Sequence, residues 1–528
     1  MLSSAFGFTG GMSAPHRAAA LAGRDILSSG GSAVEAMVTA AATIAVAYPH
    51  MNGIGGDGFW IIHRPGHDPV AVSGCGRAAG LASVEWYGGQ GITDALPTRG
   101  PLAALTVPGT IASWQMALEL CPRGNRLPLT DLLAPAIALG RDGVAVTDNQ
   151  SCTTRDKLGG LRDVAGFAET FLIDGEPPMA GARLRQPALA DTLAHLAETG
   201  LDDYYRGDIA QTHGRFLERV GSPLRQSDFE RYAADVAPPL TTNVQAGQIW
   251  NTGAPTQGVS SLMILALFDR LGVSQAEGFD HLHGLIESTK LAFIRRNAEL
   301  GDPDYMSTPA QDWLDPDAAD ALVAQIDPAQ ARPWPEAAKP GDTIWMGAAD
   351  SDGCVVSFIQ SVFWEFGSGL VCPETGVFFQ NRGAGFDLRP GPNQLRPHAR
   401  PFHTLNPALA KLKDGRVLAY GTMGGEGQPQ TQGAVFTRYA MFGQDLQTAV
   451  TAPRWLLGKT WGDATSSLKL EDRFDPALVA SLKSAGHEVE ILAPFSNLAG
   501  HAGGVAHYAD GLIEVASDPR ADGAALAF

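Results

Sequence analysis

Cationic residues are in short supply. There are 38 Lys and Arg against 56 Asp and Glu, a formal charge of −18. That excess argues against nucleic acid or an anionic membrane surface as the main partner. It also means that an anionic substrate needs a local basic site, so single arginines in glycine-rich segments become interesting. Paired cysteines are lacking too. Cys75, Cys121, Cys152, Cys354 and Cys372 are odd in number and scattered, with no C-x-x-C spacing. Neither a disulfide framework nor a cysteine-based zinc site is suggested, and no metal or cofactor is expected. No window of 18 residues is uniformly apolar, and the opening MLSSAFGFTGGMSAPHR has no cationic start leading into an apolar run. Neither a spanning helix nor a signal peptide is predicted; the expectation is a soluble, cytoplasmic protein.

What is present is an ordinary globular balance, 45% apolar and 18% charged, over 528 residues. That length suits either several domains or one large layered domain. Ser32 and Glu35 form a capping-box pattern ahead of an Ala- and Val-rich segment that Pro49 ends, which predicts a buried helix to about Ala47. Roughly residues 104–326 read as mostly helical, with Gly, Pro or Asp at the segment ends. From Thr343 the character changes. Three strand–turn–strand patterns follow, at TIWMGAADSDGCVVSFIQSVFW, ALAKLKDGRVLAYGTM and GGVAHYADGLIEVASDP. Helices after Gly425 and Asp475 cover them, so a layered α/β architecture is predicted.

Several motifs invite chemistry. In GIGGDG, Gly53, Gly55 and Gly58 satisfy G-x-G-x-x-G, but a helix precedes and a strand follows, the reverse of a dinucleotide site. A glycine bend where backbones approach closely is the better reading. In GTMGGEGQPQTQ, Gly424 and Gly425 lie between a strand and a helix. Their N–H groups and the helix N-terminus suit an oxyanion hole; spacing alone leaves a plain strand-to-helix turn equally open. Arg77 in SGCGRAAG and Arg382 in FFQNRGAGF have small neighbours that leave room for a carboxylate, although an isolated loop arginine is more often simply solvated. His403 and Thr404 lie between prolines with no Ser-His-Asp spacing to recruit the histidine.

Thr343 follows a Pro- and Ala-rich run (Pro328, Pro333, Pro335, Pro340) and opens an apolar segment directly after Asp342. As an internal residue it is a poor nucleophile. As an N-terminal residue it carries its own base, an α-amino group with a pKa of about 7.7–8.0, able to take the hydroxyl proton and return it to a leaving amine.

Taken in order along nearly the whole chain, GGSAVEAMVTAA, GIGGDGF, TVPGTIASW, DTIWMGAADSDGCVVSFIQS, QNRGAGF, RPFHTLNPAL, GTMGGEGQPQTQ and ASDPRADG resemble the γ-glutamyltranspeptidase family of N-terminal-nucleophile hydrolases, in its acylase-like branch. The resemblance implies a four-layered αββα sandwich made as one precursor. Self-cleavage between Asp342 and Thr343 would leave a large subunit, 1–342, and a small one, 343–528. It implies Thr343 as nucleophile, Ser361 as its hydroxyl partner, Gly424 and Gly425 as oxyanion donors, and Arg77 as carboxylate ligand, with His403 and Thr404 where the family has a Ser-Ser pair. Asn381 and Arg382 join the expected substrate-binding set. Glutamyl-specific members hold an ammonium with polar and acidic groups where this chain has Phe363, Arg382 and Gly385. The expectation is therefore a self-processing amidohydrolase for a small carboxylate-bearing amide without an amine. Oxamate is the smallest such substrate. A γ-glutamyl or glutaryl acyl group is the alternative, and an uncleaved binding homologue is a third reading. The expected partners are that small molecule and the two subunits of one precursor; assembly into a homo-oligomer is left open.

Overall fold

Two seven-stranded sheets, antiparallel throughout, carry the architecture. The computed structural model describes residues 2–120, 127–334, 342–458 and 467–528. Cys121 and the linker residues 335–341 lie outside them. The first sheet runs Ala524–Ala527, Gly10–Ala14, Asp342–Asp350, Val355–Phe363, Asp57–His63, Val70–Gly74, Asp235–Ala237. The second runs Ala5–Gly7, Ile513–Ser517, Ala502–His507, Val417–Thr422, Ala408–Leu412, Gly247–Asn251, Leu240–Val244. Segments before and after residue 342 therefore alternate within each sheet. The Gly10–Ala14 strand is held between two strands from the later part of the chain.

The inward faces meet in one apolar layer that includes Phe59, Trp345, Ile359, Leu409, Val505 and Val515. Helices close both outer faces. The Ala33–Ala47 helix is buried along its whole length against the first sheet, as expected of a helix apolar on all sides. Its start is fixed twice. Ser32 Oγ accepts from Glu35 N–H and the Glu35 carboxylate accepts from Ser32 N–H at 2.7 Å, while Asp350 of the strand turn accepts from Ala33 N–H at 2.8 Å. The Gly258–Arg270, Phe279–Glu299 and Gln428–Phe436 helices cover the second sheet. The layers are thus helix, sheet, sheet, helix.

The three hairpins after Thr343 are present. Several strands depart from the pattern read in the sequence, among them the short pair Val144–Ala145 with Arg183–Leu184 and the edge strand Asp235–Ala237, both inside the stretch read as mostly helical. The hairpin Leu240–Val244 with Gly247–Asn251 lies inside the same stretch. Its five-residue strands are too short to impose a period beside long helices, and only the second is well buried. A small sheet of Trp455–Leu457, Leu468–Glu471 and Val489–Leu492 was likewise not expected.

Candidate active site

Thr343 is fully buried at the start of the Asp342–Asp350 strand. Asp342 pairs with Phe363 and Ile344 with Gln360, so the single residue Thr343 faces Ser361 and Val362 across a bulge. Bulges re-aim side chains and cluster beside active sites. Ser361 is held from below: its Oγ accepts from Phe363 N–H at 2.8 Å. The glycine bend passes directly against it, because a Cβ on Gly56 would sit 2.0 Å from the Ser361 carbonyl oxygen. GIGGDG is therefore a close-approach bend against the Val355–Phe363 strand. Phe363 itself is left-handed, with φ of 80°, a costly conformation for a side-chain-bearing residue.

The strand Val417–Thr422 leads into the glycine pair. Gly424 and Gly425 have φ of 118° and 54°, which glycine adopts without steric cost. The Met423 carbonyl accepts from the Thr422 hydroxyl at 2.7 Å, and the Gly424 carbonyl accepts from Gly427 N–H at 2.8 Å. In a trans peptide the N–H points opposite to the carbonyl, so these two bonds turn the N–H groups of Gly424 and Gly425 the other way. Both residues are buried, and among the described residues neither N–H has an acceptor. Buried backbone donors are almost always paired; two in succession point to an acceptor supplied by a ligand. Gln428, first residue of the following helix, places its Nε2 3.5 Å from Thr343 Oγ1, so this loop and the strand start meet.

Arg382 is 1% exposed. Its guanidinium lies 3.4 Å from the centre of the Phe363 ring and donates to Thr404 Oγ1 at 3.3 Å. Among the described residues it has no carboxylate in ion-pair contact, and its Nε has no acceptor. Burial pulls its pKa down from the ordinary value; Asp57 and Glu426 oppose that shift. Both carboxylates are already engaged, Asp57 with His403 and Glu426 with Arg296. Gly385 makes the arrangement feasible, since a Cβ there would fall 2.6 Å from Arg382 Nη2. Phe363, Arg382 and Gly385 thus form one unit: platform, cation and the space for it.

His403 is turned away from any ligand. Its Nδ1 accepts from Leu405 N–H at 3.3 Å, which leaves Nε2–H to donate to Asp57 at 2.9 Å. Burial lowers its pKa to about 4, so it is neutral. Asp57 also accepts from Gly76 N–H, Gly109 N–H and Gln380 Nε2 at 2.9–3.1 Å. This buried carboxylate organises the strand ends around the site, and it was missed in the sequence because it sits inside a glycine run. Asn381 is likewise occupied, donating to the Thr98 carbonyl and accepting from Trp364 N–H. Arg77 is about a third exposed and faces Asp235 at 3.5 Å and the His398 carbonyl at 3.4 Å. The structure therefore gathers Thr343, Ser361, Gly424, Gly425, Arg382 and Thr404, with His403 and Asn381 bracing their neighbours and Arg77 paired elsewhere.

Among the described residues, two clusters bring ligand-type atoms within 4.8 Å: Asp57, Cys75 and His403, and His283, Glu287 and His487. The first is consumed by the bonds just described, and burial, aided by Asp57, keeps the Cys75 thiol protonated. In the second, the two imidazoles hydrogen-bond each other at 2.9 Å and Lys290 neutralises Glu287 at 2.7 Å. Both sets are satisfied without an ion.

The family model described as gamma-glutamyltranspeptidase matches residues 19–528. The chain belongs to that family. It is 50% identical over 518 residues to an oxamate amidohydrolase proenzyme of Klebsiella pneumoniae, covering 98% of each chain. A glutathione hydrolase-like proenzyme of Bacillus subtilis is 36% identical, with 97% of each covered. Among solved structures, a cephalosporin acylase from Bacillus halodurans superposes with a TM-score of 0.92 at 29% identity, over 100% of this chain and 97% of that one. The fold is accordingly the αββα sandwich of the N-terminal-nucleophile hydrolases, and the chain is an enzyme of that amide-cleaving class.

Proposed function

We propose that this family member cleaves itself between Asp342 and Thr343 and then hydrolyses oxamate to oxalate and ammonia. The observation that carries the substrate assignment is Arg382. A buried cation without a carboxylate partner costs several kcal/mol, and a substrate carboxylate would relieve that cost with charge-assisted hydrogen bonds. The 50% identity to an oxamate amidohydrolase proenzyme supports the same substrate.

The chemistry follows from the groups present. The freed α-amine of Thr343 takes the proton from Oγ1, and Oγ1 attacks the amide carbon. The N–H groups of Gly424 and Gly425 receive the developing oxyanion. As the C–N bond breaks, the α-ammonium returns its proton to the leaving nitrogen and ammonia departs. Water, deprotonated by the same amine, then opens the oxalyl ester and restores the hydroxyl. Thr404 and Arg382 hold the neighbouring carboxylate throughout.

Oxamate, a glutaryl amide and a γ-glutamyl amide offered to the purified protein separate the readings by ammonia or amine release. We expect turnover of oxamate above the others. Turnover of the γ-glutamyl amide alone would overturn the reading of Arg382, because an ammonium beside it is repelled. The unprotonated amine is the working base, so kcat/KM should fall about tenfold per pH unit below the amine's pKa, about 7.7–8.0 for an unperturbed α-amine. A rate independent of pH between 5 and 8 would argue against an amine base.

A further inference from the structure

Gln257, which no motif singled out, joins the two halves of this site. It is fully buried immediately before the Gly258–Arg270 helix. Its side-chain nitrogen has two hydrogens. One donates to the Thr404 carbonyl at 2.8 Å and the other to the Gly425 carbonyl at 2.9 Å. Its side-chain oxygen accepts from Arg296 Nη1 at 2.8 Å. Arg296, 2% exposed on the Phe279–Glu299 helix, lies 3.8 Å from the centre of the Phe293 ring and pairs through Nη2 with Glu426 at 2.6 Å. The main-chain N–H of Gln257 donates to the His403 carbonyl at 2.9 Å.

Each of these bonds has a direction. Turned over, the Gln257 amide would set its oxygen against two carbonyls and its NH2 against a guanidinium, so Arg296 decides which end faces the site. The carbonyl of left-handed Gly425 also accepts from the Gln428 N–H within its own loop; the Gln257 bond is the one that ties it to the Thr404 side of the site. The bond from Gln257 restrains the peptide between Gly425 and Glu426 on one side, and the Arg296–Glu426 pair restrains it on the other. The same amide nitrogen anchors Thr404, whose hydroxyl meets Arg382.

We propose that Gln257 and Arg296 are positioning residues that keep the oxyanion loop in register with the carboxylate-binding pair Arg382–Thr404. The inference rests on the function proposed above and adds a reason for the short substrate. In oxamate the carboxylate and the attacked carbon are bonded neighbours, so both ends of the site must be correct at once. A misplacement of about 1 Å can cost about 10²-fold in rate.

The test compares kcat and KM for oxamate in fully processed wild type, Arg296→Met, Arg296→Lys and Gln257→Glu, each normalised to folded protein by thermal melt. We expect Arg296→Met to lower kcat about 10²-fold with KM changed by less than about threefold. Arg296→Lys should recover part of that loss, and Gln257→Glu, which sets a carboxylate against two carbonyls, should resemble Arg296→Met. If Arg296→Met does not fold, Glu426→Gln, which keeps the Gln257–Arg296 bond and nearly the same volume, should still fold, melt lower because Arg296 loses its buried carboxylate, and show a reduced kcat per folded site. Variants within twofold of wild type per folded site overturn the inference and leave the function standing. So does a loss that merely tracks folded protein. A wild type that hydrolyses none of the amides takes both readings down.

Discussion

A Thr343→Ala protein should run as one full-length band on a denaturing gel and release no measurable ammonia from oxamate. Wild type should give fragments of 342 and 186 residues, since 528 − 342 = 186. The hydroxyl has two tasks in this proposal. In the precursor it attacks the Asp342 carbonyl; in the processed enzyme it attacks the substrate. Removing the nucleophile from a unit that works together typically costs 10³-fold or more. The substitution leaves the strand pairing intact, so the melting temperature of the uncut protein should hardly move. Thr343→Ser, which keeps the hydroxyl and loses the β-branch, should cut and turn over more slowly. An alanine protein that still processed itself and hydrolysed amides would remove the mechanism.

The second large effect belongs to Arg382, where activity and stability should move in opposite directions. Arg382→Met should lower kcat/KM for oxamate about 10²–10³-fold, the usual consequence of truncating one partner of a buried charge pair, roughly 3–4 kcal/mol. The loss should appear mainly in KM, because the carboxylate is bound in the ground state and the transition state alike. Replacing a buried cation that lacks a carboxylate partner with an apolar chain of similar length should leave the free enzyme as stable or stabilise it by about 1–4 kcal/mol. Methionine can still pack on Phe363. A variant that lost both activity and melting temperature would mark Arg382 as a structural cation, and the substrate assignment would lose its main support.

Much of this was legible from order and composition. The capping box at Ser32 and Glu35, the strand turns after Thr343 and the glycine pair before Gln428 are local signals, each written within a few residues. What was not legible depends on residues far apart in the chain. Asp57 and His403 are 346 positions apart, and nothing near either one shows that the imidazole faces a carboxylate instead of a substrate. Arg77 and Arg382 looked alike in sequence, both among small residues. The fold gives Arg77 the partner Asp235 and leaves Arg382 with a ring and a hydroxyl. Gln257 and Arg296 carry no signature at all, since a helix-flanking Gln and a helical Arg are ordinary surface residues until a fold buries them. The Leu240–Asn251 hairpin was hidden by its length.

The alternation of strands within each sheet would set the behaviour of the protein once cut at the Asp342–Thr343 bond proposed above. In the first sheet, Gly10–Ala14 pairs with Asp342–Asp350 on one side and Ala524–Ala527 on the other. In the second, Ala5–Gly7 pairs with Ile513–Ser517 at one edge. Neither fragment holds a complete sheet, so pulling them apart means unfolding both. Before the cut, refolding is a unimolecular event. Afterwards two chains must find one another, and the melting midpoint acquires a dependence on protein concentration. Opening one peptide bond would thus convert a protein that can recover from heat by itself into one whose recovery from dilute solution is limited by encounter.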